Sequence, residues 1–344
     1  MELNTLARLC DARGVSGDEA EIRDIIRQQA GGRVDVLGNL LVARPDPAGG
    51  PSVRVMLAAH MDEVGFLVTH LEKNGRLRFS TVGGIDPRVL PGLAVLVGRD
   101  RAPGIIGLGP PHLLDRKESP AVARVDDLLI DVGCSSREEA ERWFSVGDYA
   151  TFATVAGELG DGLVLAKALD DRAGCAVLLE VLAEEYPGVE LHAVFTVQEE
   201  IGLRGARVAA HAIAPEVGLV LEGTIAAEGA GREEADRVTA VGAGPVLSLM
   251  DRTSIASREM VRVLVEVAEQ AGLPYQFRRS GQGGNDAGAI SLALEGVPTA
   301  AISVPCRYLH GPASVASLED VDRVARLTAA FVRRVGTEGL RFRY

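Results

Sequence analysis

Apolar residues recur at two different spacings along the chain, and each spacing predicts a different kind of element. Between residues 3 and 30 they lie at helical spacing, with one break at Gly14–Gly17, which predicts two surface helices. After residue 162, segments with this helical spacing alternate with short β-branched and aromatic runs such as Leu191–Val197. Such alternation is typical of an α/β fold with a mixed central sheet flanked by helices.

The pattern changes between residues 68 and 162, where short β-like runs are separated by glycine and proline. This spacing predicts a small β-barrel or sandwich, interrupted by one helix at Ser136–Phe144. The α/β pattern resumes directly after residue 162. We therefore interpret residues 68–162 as a β-barrel domain inserted into a discontinuous catalytic domain that is formed by residues 1–67 and 163–344.

Composition and charge narrow the classes of protein to be considered. The 344 residues are 47% apolar and 24% charged, as in soluble globular proteins. A cytoplasmic location is expected because no apolar run is long enough for a membrane span and the first residues lack a signal-peptide core. A net charge of −12 and an aromatic content of 4% disfavour nucleic acid and anionic membranes as partners. The four cysteines lack CxxC spacing, which disfavours a zinc–cysteine site and a disulfide framework.

Histidine and carboxylate residues follow five of the predicted strands. The strands are predicted at Val53–Ala59, Leu163–Ala168, Leu191–Val197, Val217–Leu221 and Thr299–Val304, and the residues that follow them are His60 and Asp62, Asp170 and Asp171, Glu199 and Glu200, Glu222, and His310. Open α/β sheets bind ligands at the carboxyl ends of their strands. Two imidazoles and several carboxylates without a thiolate suit a pair of divalent cations such as zinc, cobalt or manganese.

Each of these motifs alone also has an ordinary structural explanation. Glu199–Glu200 could begin a solvated helix, and His60 with Asp62 could be a simple hydrogen-bonded pair. Asp170–Asp171 could cap a helix, and His310 could be an unremarkable loop residue. Their shared position at strand ends favours a common metal site, in which one of the two adjacent glutamates binds a metal and the other acts as a base.

Several further residues have no assigned role at this point. The loop Gly281–Gly284 lacks the lysine of a P-loop and the spacing of a dinucleotide fingerprint, so it favours close approach of the backbone to a substrate cleft. Asp286 could line that cleft or cap the following helix. Arg278 and Arg279 could form a solvated edge or a substrate clamp. The remaining histidines are interpreted as structural or surface residues: His70, His112, His192 and His211.

Six motifs, in this order, resemble the M42 family of metalloaminopeptidases. They are HMDEVG at His60, ALDDR at Ala168, QEEIGLRGA at Gln198, LEGT at Leu221, GGNDAGAI at Gly283 and RYLHGP at Arg307. The family includes the tetrahedral TET peptidases and members described as glutamyl aminopeptidases or endoglucanases. The resemblance implies that His60 and Glu222 bind one metal ion, that Glu200 and His310 bind a second, and that Asp170 bridges the two. It also implies that Glu199 is the general base and that Asp62 orients His60.

The same resemblance implies two divalent ions per subunit, with zinc expected and cobalt or manganese as alternatives. It further implies that the inserted domain mediates dimerisation and that the protein is a homo-oligomer between a dimer and a hollow dodecamer. The sequence departs from the common family pattern at three positions. Glu222 stands where many relatives have Asp, Asn285 replaces a commoner Thr, and Gly311 replaces a Ser. The expected ligands remain, so these departures bear on specificity.

The resulting expectation is a metalloaminopeptidase that hydrolyses N-terminal residues from short peptides through a metal-bridging water, with Glu199 as the general base. One alternative is a metal-dependent deacylase of N-acyl amino acids. A glycosidase activity is disfavoured, because it needs a protonated carboxyl group as the acid and metal-bound carboxylates are a bad source of one. A non-catalytic metal-stabilised assembly is disfavoured, because a structural metal site needs no free base such as Glu199.

Overall fold

The computed structural model describes residues 1–108, 123–228, 238–278, 281–340 and 342, so His112 and Arg279 lie outside the described residues. The helices in these residues are α1 (Leu3–Asp11), α2 (Ala20–Ala30), α3 (Arg137–Ala140), α4 (Leu169–Val181), α5 (Arg204–Ile213), α6 (Arg258–Gln270), α7 (Ala287–Ser291) and α8 (Leu318–Glu338). The strands are β1 (Arg33–Val34), β2 (Leu40–Arg44), β3 (Val53–His60), β4 (Gly65–Leu71), β5 (Leu77–Val82), β6 (Ala94–Val97), β7 (Ala102–Gly107), β8 (Leu129–Asp131), β9 (Tyr149–Phe152), β10 (Gly157–Leu159), β11 (Leu163–Ala166), β12 (Val189–Thr196), β13 (Val217–Ile225), β14 (Val246–Ser248), β15 (Gln276–Phe277), β16 (Thr299–Arg307) and β17 (Ser314–Ser317).

A mixed sheet forms the centre of the molecule, as predicted. Within the described residues its order is β1-β2-β12-β3-β13-β16-β17-β11-β10, with β14 and β15 attached beside β16. The four central strands β12, β3, β13 and β16 are parallel neighbours. They are apolar and buried almost throughout, because helices cover both faces of the sheet. Parallel alignment brings the carboxyl ends of these strands to one edge of the sheet.

Alternate residues of the central strands pack into two different cores. Leu57, Phe195 and Leu221 belong to the core shared with α1, α2, α4, α6 and α8. Ala58, Val194 and neighbours of the same register face the opposite side, where α5 and α7 cover the sheet. This division follows from the two-residue period of a strand, which points successive side chains to opposite faces.

The strands of the middle region form a closed antiparallel barrel in the order β4-β5-β8-β7-β6-β9, which confirms the predicted small β-barrel. Its core contains Phe66, whose ring packs edge-on against Phe79 and Phe152 at centroid distances of 5.2 and 5.3 Å. The first barrel strand begins at Gly65, before residue 68, and α3 ends at Ala140, short of the predicted Phe144. The division of the chain into two domains stays a prediction.

Two predicted boundaries near the site differ from the structure. The strand predicted to end at Val304 continues through Pro305 to Arg307, pairing in parallel with β13. Proline normally ends a strand pattern, but here it lies near the end of the ladder, opposite Thr224. The short run Ser314–Ser317 was not predicted as a strand, although it joins β16 to β11 in the sheet. Among the described residues, no helix combines the length and apolarity that a membrane span requires.

Candidate metal centre

All of the predicted site residues come together at the carboxyl edge of the central sheet. His60 is the last residue of β3, and Glu222 lies within β13. Glu199 and Glu200 follow β12, His310 follows β16, and Asp170 follows β11 at the start of α4. The regular turns of α4 begin only after Asp171, because Asp170 and Asp171 have non-helical backbone angles. The site is therefore built from five chain segments that are far apart in sequence.

The first half of the site is centred on His60, which is 1% exposed. Its Nε2 lies 3.1 Å from Oε1 of Glu222 and 3.3 Å from Oδ1 of Asp170. The other oxygen of Glu222, Oε2, is buried and has no hydrogen-bond partner among the described residues. A buried carboxylate oxygen without a partner is costly, so this half of the site fits a cation.

The second half is centred on His310. Its Nε2 lies 3.2 Å from Oε1 of Glu200 and 3.5 Å from Oδ2 of Asp170. One oxygen of Asp170 thus faces His60 and the other faces His310. Potential ligand atoms lie within 4.8 Å of one another in three overlapping groups: His60, Asp171 and Glu222; His60, Glu199 and Glu200; and Asp170, Glu200 and His310.

Backbone carbonyls orient both imidazole rings. Nδ1 of His60 lies 3.0 Å from the main-chain oxygen of Asp62, whereas the Asp62 carboxylate is farther away, at 3.5 Å. Nδ1 of His310 lies 2.9 Å from the main-chain oxygen of Gly84. A carbonyl can only accept, so these contacts favour a proton on Nδ1, and Nε2 is the nitrogen that faces the carboxylates.

The Asp62 carboxylate instead holds the turn that carries the two glutamates. It accepts hydrogen bonds from the amides of Glu199 and Glu200, at 2.9 and 3.1 Å, and from the Ser16 hydroxyl at 2.6 Å. Oε1 of Glu19 accepts from the preceding amide, that of Gln198, at 3.2 Å. Three consecutive amides of this turn therefore donate to buried carboxylates, which fixes the direction of both glutamate side chains.

Left-handed backbone conformations are concentrated in the loops that carry the site. The backbone φ angle is 54° at Ala168, 56° at Gln198, 57° at Leu203, 60° at Tyr308 and 57° at His310. Such angles are unfavourable for residues with a Cβ atom, and they persist only where the surrounding structure enforces them. The ligand-bearing loops are thus held in conformations that the local sequence alone would not favour.

Two residues near the predicted ligands support the site without being predicted as ligands. Asp171 is fully buried, and its carboxylate accepts from the backbone amides of His60 at 3.2 Å and of Gly174 at 2.8 Å. It therefore caps the regular part of α4, one of the alternatives given for the pair Asp170–Asp171, while Asp170 faces the two histidines. Glu19 was missed, because its contact with Gln198 joins segments that are distant in the chain.

Burial and crowding of charge shift the proton affinities of the site. Desolvation raises the pKa of Glu199 well above its usual value, and the negative charges of Asp286 and Glu200 add to this effect. Desolvation likewise raises the pKa of Glu222. Burial opposes protonation of His310, but the hydrogen bonds that its ring donates to Asp170 and Glu200 raise its pKa to about 11. The carboxylates thus bind positive charge strongly, and divalent cations fit this donor set.

A cleft of about 1000 Å³ opens onto the site. Its walls include Gly283 and Gly284 of the glycine loop, as predicted, together with Arg278. Asp86, from the barrel region, also lines the cleft. Asp286 is 1% exposed and accepts from the Thr196 hydroxyl at 2.6 Å, without a capping bond to α7. Neither role predicted for Asp286 matches this buried position.

The sequence of the chain matches known aminopeptidases. The family model described as M42 glutamyl aminopeptidase matches residues 38–327. A protein from Acetivibrio thermocellus is 37% identical, with 91% of this chain and 93% of that protein aligned. The lysyl aminopeptidase of Pyrococcus furiosus is 34% identical over 96% of both chains, and the glutamyl aminopeptidase of Lactococcus lactis is 30% identical over 98% of both.

Solved structures show the same fold over nearly the whole chain. Aminopeptidase APDkam598 from Desulfurococcus kamchatkensis has a TM-score of 0.92 and 36% identity, covering 96% of this chain and 94% of that one. A TET aminopeptidase from Thaumarchaeota archaeon SCGC AB-539-E09 has a TM-score of 0.93 and 34% identity, with coverages of 98% and 97%. The TET1 peptidase of Pyrococcus horikoshii, which can assemble into a tetrahedron or a large octahedral shell, has a TM-score of 0.84 and 33% identity, with coverages of 96% and 98%.

Proposed function

The chain belongs to the M42 glutamyl aminopeptidase family and is a peptidase, and from that premise we propose that it removes N-terminal residues from short peptides with the help of two divalent metal ions. Metal dependence is a property of the family. The finer assignment of ligands, base and metal count is our proposal.

The observation that carries this proposal is the position of the Asp170 carboxylate. Its two oxygens face two different histidines, each of which has a further carboxylate beside it, Glu222 on one side and Glu200 on the other. This arrangement supports a bridging role for Asp170, with His60 and Glu222 holding one ion and His310 and Glu200 holding the other. Imidazole and carboxylate ligands suit zinc, with cobalt or manganese as alternatives.

When bound, the two ions would supply a water of lowered pKa and polarise the scissile carbonyl group. Glu199 is the residue we assign to proton transfer. It is not needed as a ligand in either half of the site, and its backbone is fixed by Asp62. Held in this way, the Glu199 carboxylate is suited to take a proton from the nucleophilic water and deliver it to the leaving amine. The Glu199 carboxylate lines the cleft in which the peptide would bind.

Assembly into a homo-oligomer, between a dimer and a dodecamer, is part of the same proposal, with residues 68–162 as the assembly domain. The shell-forming TET1 peptidase supports it by likeness. The barrel region also exposes large apolar side chains, among them Trp143 at 71% and Val146 at 63%. We further propose a cytoplasmic location and peptides as the substrates.

A peptide panel tests the proposed activity. Short peptides, each prepared with a free and with an acetylated N-terminus, are incubated with metal-loaded enzyme and with enzyme treated with a chelator. We expect stepwise, metal-dependent release of residues from the free N-termini only. Cleavage of the acetylated peptides would instead indicate a deacylase or an endopeptidase, and no cleavage of either form would indicate a non-catalytic protein.

A further inference from the structure

A turn of the barrel touches both proposed ligands of the second metal site. The turn consists of Gly83 and Gly84, which directly follow β5. The main-chain oxygen of Gly84 lies 2.9 Å from Nδ1 of His310. This contact joins the barrel to a loop of the central sheet. Among the described residues, it is the polar contact that Nδ1 of His310 makes.

The neighbouring residue, Gly83, lies close to the other proposed ligand, Glu200. Its φ is +79°, which favours glycine. A Cβ atom at this position would lie 3.3 Å from Cβ of Glu200 and 2.6 Å from Cγ1 of Val64. A side chain at this position would therefore displace Val64 and press on Glu200.

Among the residues that the structure describes, no corresponding contact joins the ring of His60 to the barrel. The ring of His60 is oriented by the main-chain oxygen of Asp62, and its backbone amide donates to Asp171. Both of these residues follow strands of the central sheet. The two proposed sites therefore differ in what supports them, although they share Asp170.

We propose that the barrel turn Gly83–Gly84 is a structural part of the second metal site, where it holds His310 with its proton on Nδ1 and Nε2 directed at the ion, and where it fixes the position of Glu200. This inference rests on the proposed metal-binding roles of His310 and Glu200. It gives the barrel a role inside each subunit, in addition to its proposed role in assembly.

The proposal predicts a change in affinity for only one of the two ions. A hydrogen bond to the far nitrogen of a ligating imidazole sets its tautomer and orientation, and loss of such a partner typically costs about 10–100-fold in metal affinity. Displacing the turn should therefore lower the affinity for the second ion by about this factor. The first ion should bind as before, because His60 is held by Asp62 and Asp171, which follow strands of the central sheet.

Two matched single substitutions separate this effect from general damage to the barrel. Gly83→Ala places a Cβ against Val64 and Glu200 in a left-handed conformation. Gly92→Ala introduces the same kind of backbone strain in the barrel, at φ +85°, but its Cβ would meet nothing within 4 Å.

The measurement is a zinc titration of the metal-free full chain by calorimetry, with a competing chelator to resolve tight binding. Wild type and Gly92→Ala should bind two equivalents with similar affinities. Gly83→Ala should bind its first equivalent normally and its second about 10–100-fold more weakly. If Gly83→Ala binds both equivalents as tightly as Gly92→Ala does, the proposal is overturned.

Failure of the underlying function is recognised separately. If wild type binds fewer than two equivalents, or if His310→Ala still binds two, the two-metal site itself is wrong, whatever Gly83→Ala does. If Gly83→Ala does not fold, imidazole ¹⁵N spectra of zinc-loaded wild type decide the question, with His310 assigned by comparison with His310→Gln. A proton on Nδ1 and zinc on Nε2 support the proposal, and zinc on Nδ1 overturns it.

Discussion

The two halves of the candidate metal centre contain the same kinds of ligand but are built in different ways. His60 ends a central strand and is 1% exposed, and its ring and its backbone amide are held by Asp62 and Asp171, which follow strands of the sheet. His310 lies in a loop with a left-handed backbone, and 37% of its side chain is exposed. Its ring is held by a carbonyl from the barrel. One half is thus preorganised by the core, and the other depends on a contact between two sheets.

Asp170, the ligand proposed for both ions, therefore lies between two histidines that are held in different ways. Asp170 belongs to both halves, and the turn Gln198–Glu200 connects them, since Glu199 lies near His60 and Glu200 lies beside His310. The chemistry proposed for Glu199 needs both halves at once. Substitutions in each half should therefore affect metal binding differently, while substitutions in the connecting turn should affect turnover.

The largest effect is expected for Glu199→Gln, which keeps the size of the side chain but removes its basic oxygen. Because this residue is proposed to transfer the proton and is not proposed as a ligand, kcat should fall by about 10²–10⁴-fold or more, with both metal equivalents retained. The check combines peptide hydrolysis with metal analysis of the same sample. Unchanged hydrolysis would remove Glu199 from the mechanism, and loss of metal would make it a ligand instead.

A pair of matched substitutions, His60→Ala and His310→Ala, compares the two halves directly. Each variant loses an imidazole ligand, so each should lose more than the 10–100-fold in affinity that loss of an outer partner costs. We expect His310→Ala to keep one tightly bound ion. His60→Ala should lose the tighter ion and also unfold at lower denaturant concentration, because the alanine leaves a cavity in the core. Equal losses in the two variants would contradict the proposed asymmetry.

The candidate site residues could be identified from the sequence because strand ends have a local signature. His60, Asp170, Glu200, Glu222 and His310 each follow or end a run of apolar residues, and parallel strands bring such ends to one edge. The structure brings these residues together as expected. The same reasoning found the barrel, since short runs between glycines and prolines indicate antiparallel strands.

The contacts that hold the site residues in place could not be predicted in this way, because they are made by main-chain atoms or by residues far apart in the sequence. Gly84 acts through a main-chain carbonyl, which every residue possesses, so no residue type marks the role. Glu19 reaches Gln198 across a large separation in the chain, and a charged residue at the start of a helix normally indicates only a favourable end charge. Pro305 ended the predicted strand because its pairing in the sheet is not a local property.

A smaller effect is expected in the pH dependence of stability, where Glu19 can be tested alone. Burial raises the pKa of Glu19 from 4.5 to about 7. Between these values the folded state binds more protons than the unfolded state, so this residue makes stability fall as pH rises from about 4.5 to 7, by up to about 3 kcal/mol. Glu19→Gln removes this titration. Its stability relative to wild type should therefore rise across that interval and stay constant above it.

Urea unfolding of both proteins between pH 4.5 and 8.5 provides this comparison, because groups that titrate alike in the two proteins cancel. Asp24→Ala removes an exposed carboxylate from α2, the helix that directly follows Glu19, and serves as the control. A constant difference between Glu19→Gln and wild type would show that Glu19 is ionised normally in the folded protein.

The smallest effect concerns the support of the glutamate turn, and it separates positioning from chemistry. Glu19→Ala removes the acceptor for the Gln198 amide, but Asp62 still holds the next two amides. Small displacements of reacting groups can cost up to about 10²-fold, so a partly held turn should lower kcat by about tenfold. Glu19→Gln keeps an oxygen at the same position and should restore most of this loss. KM and the metal content should stay near wild type in both variants, and an equal loss of kcat in both would mean that the charge of Glu19, rather than its hydrogen bond, supports the turn.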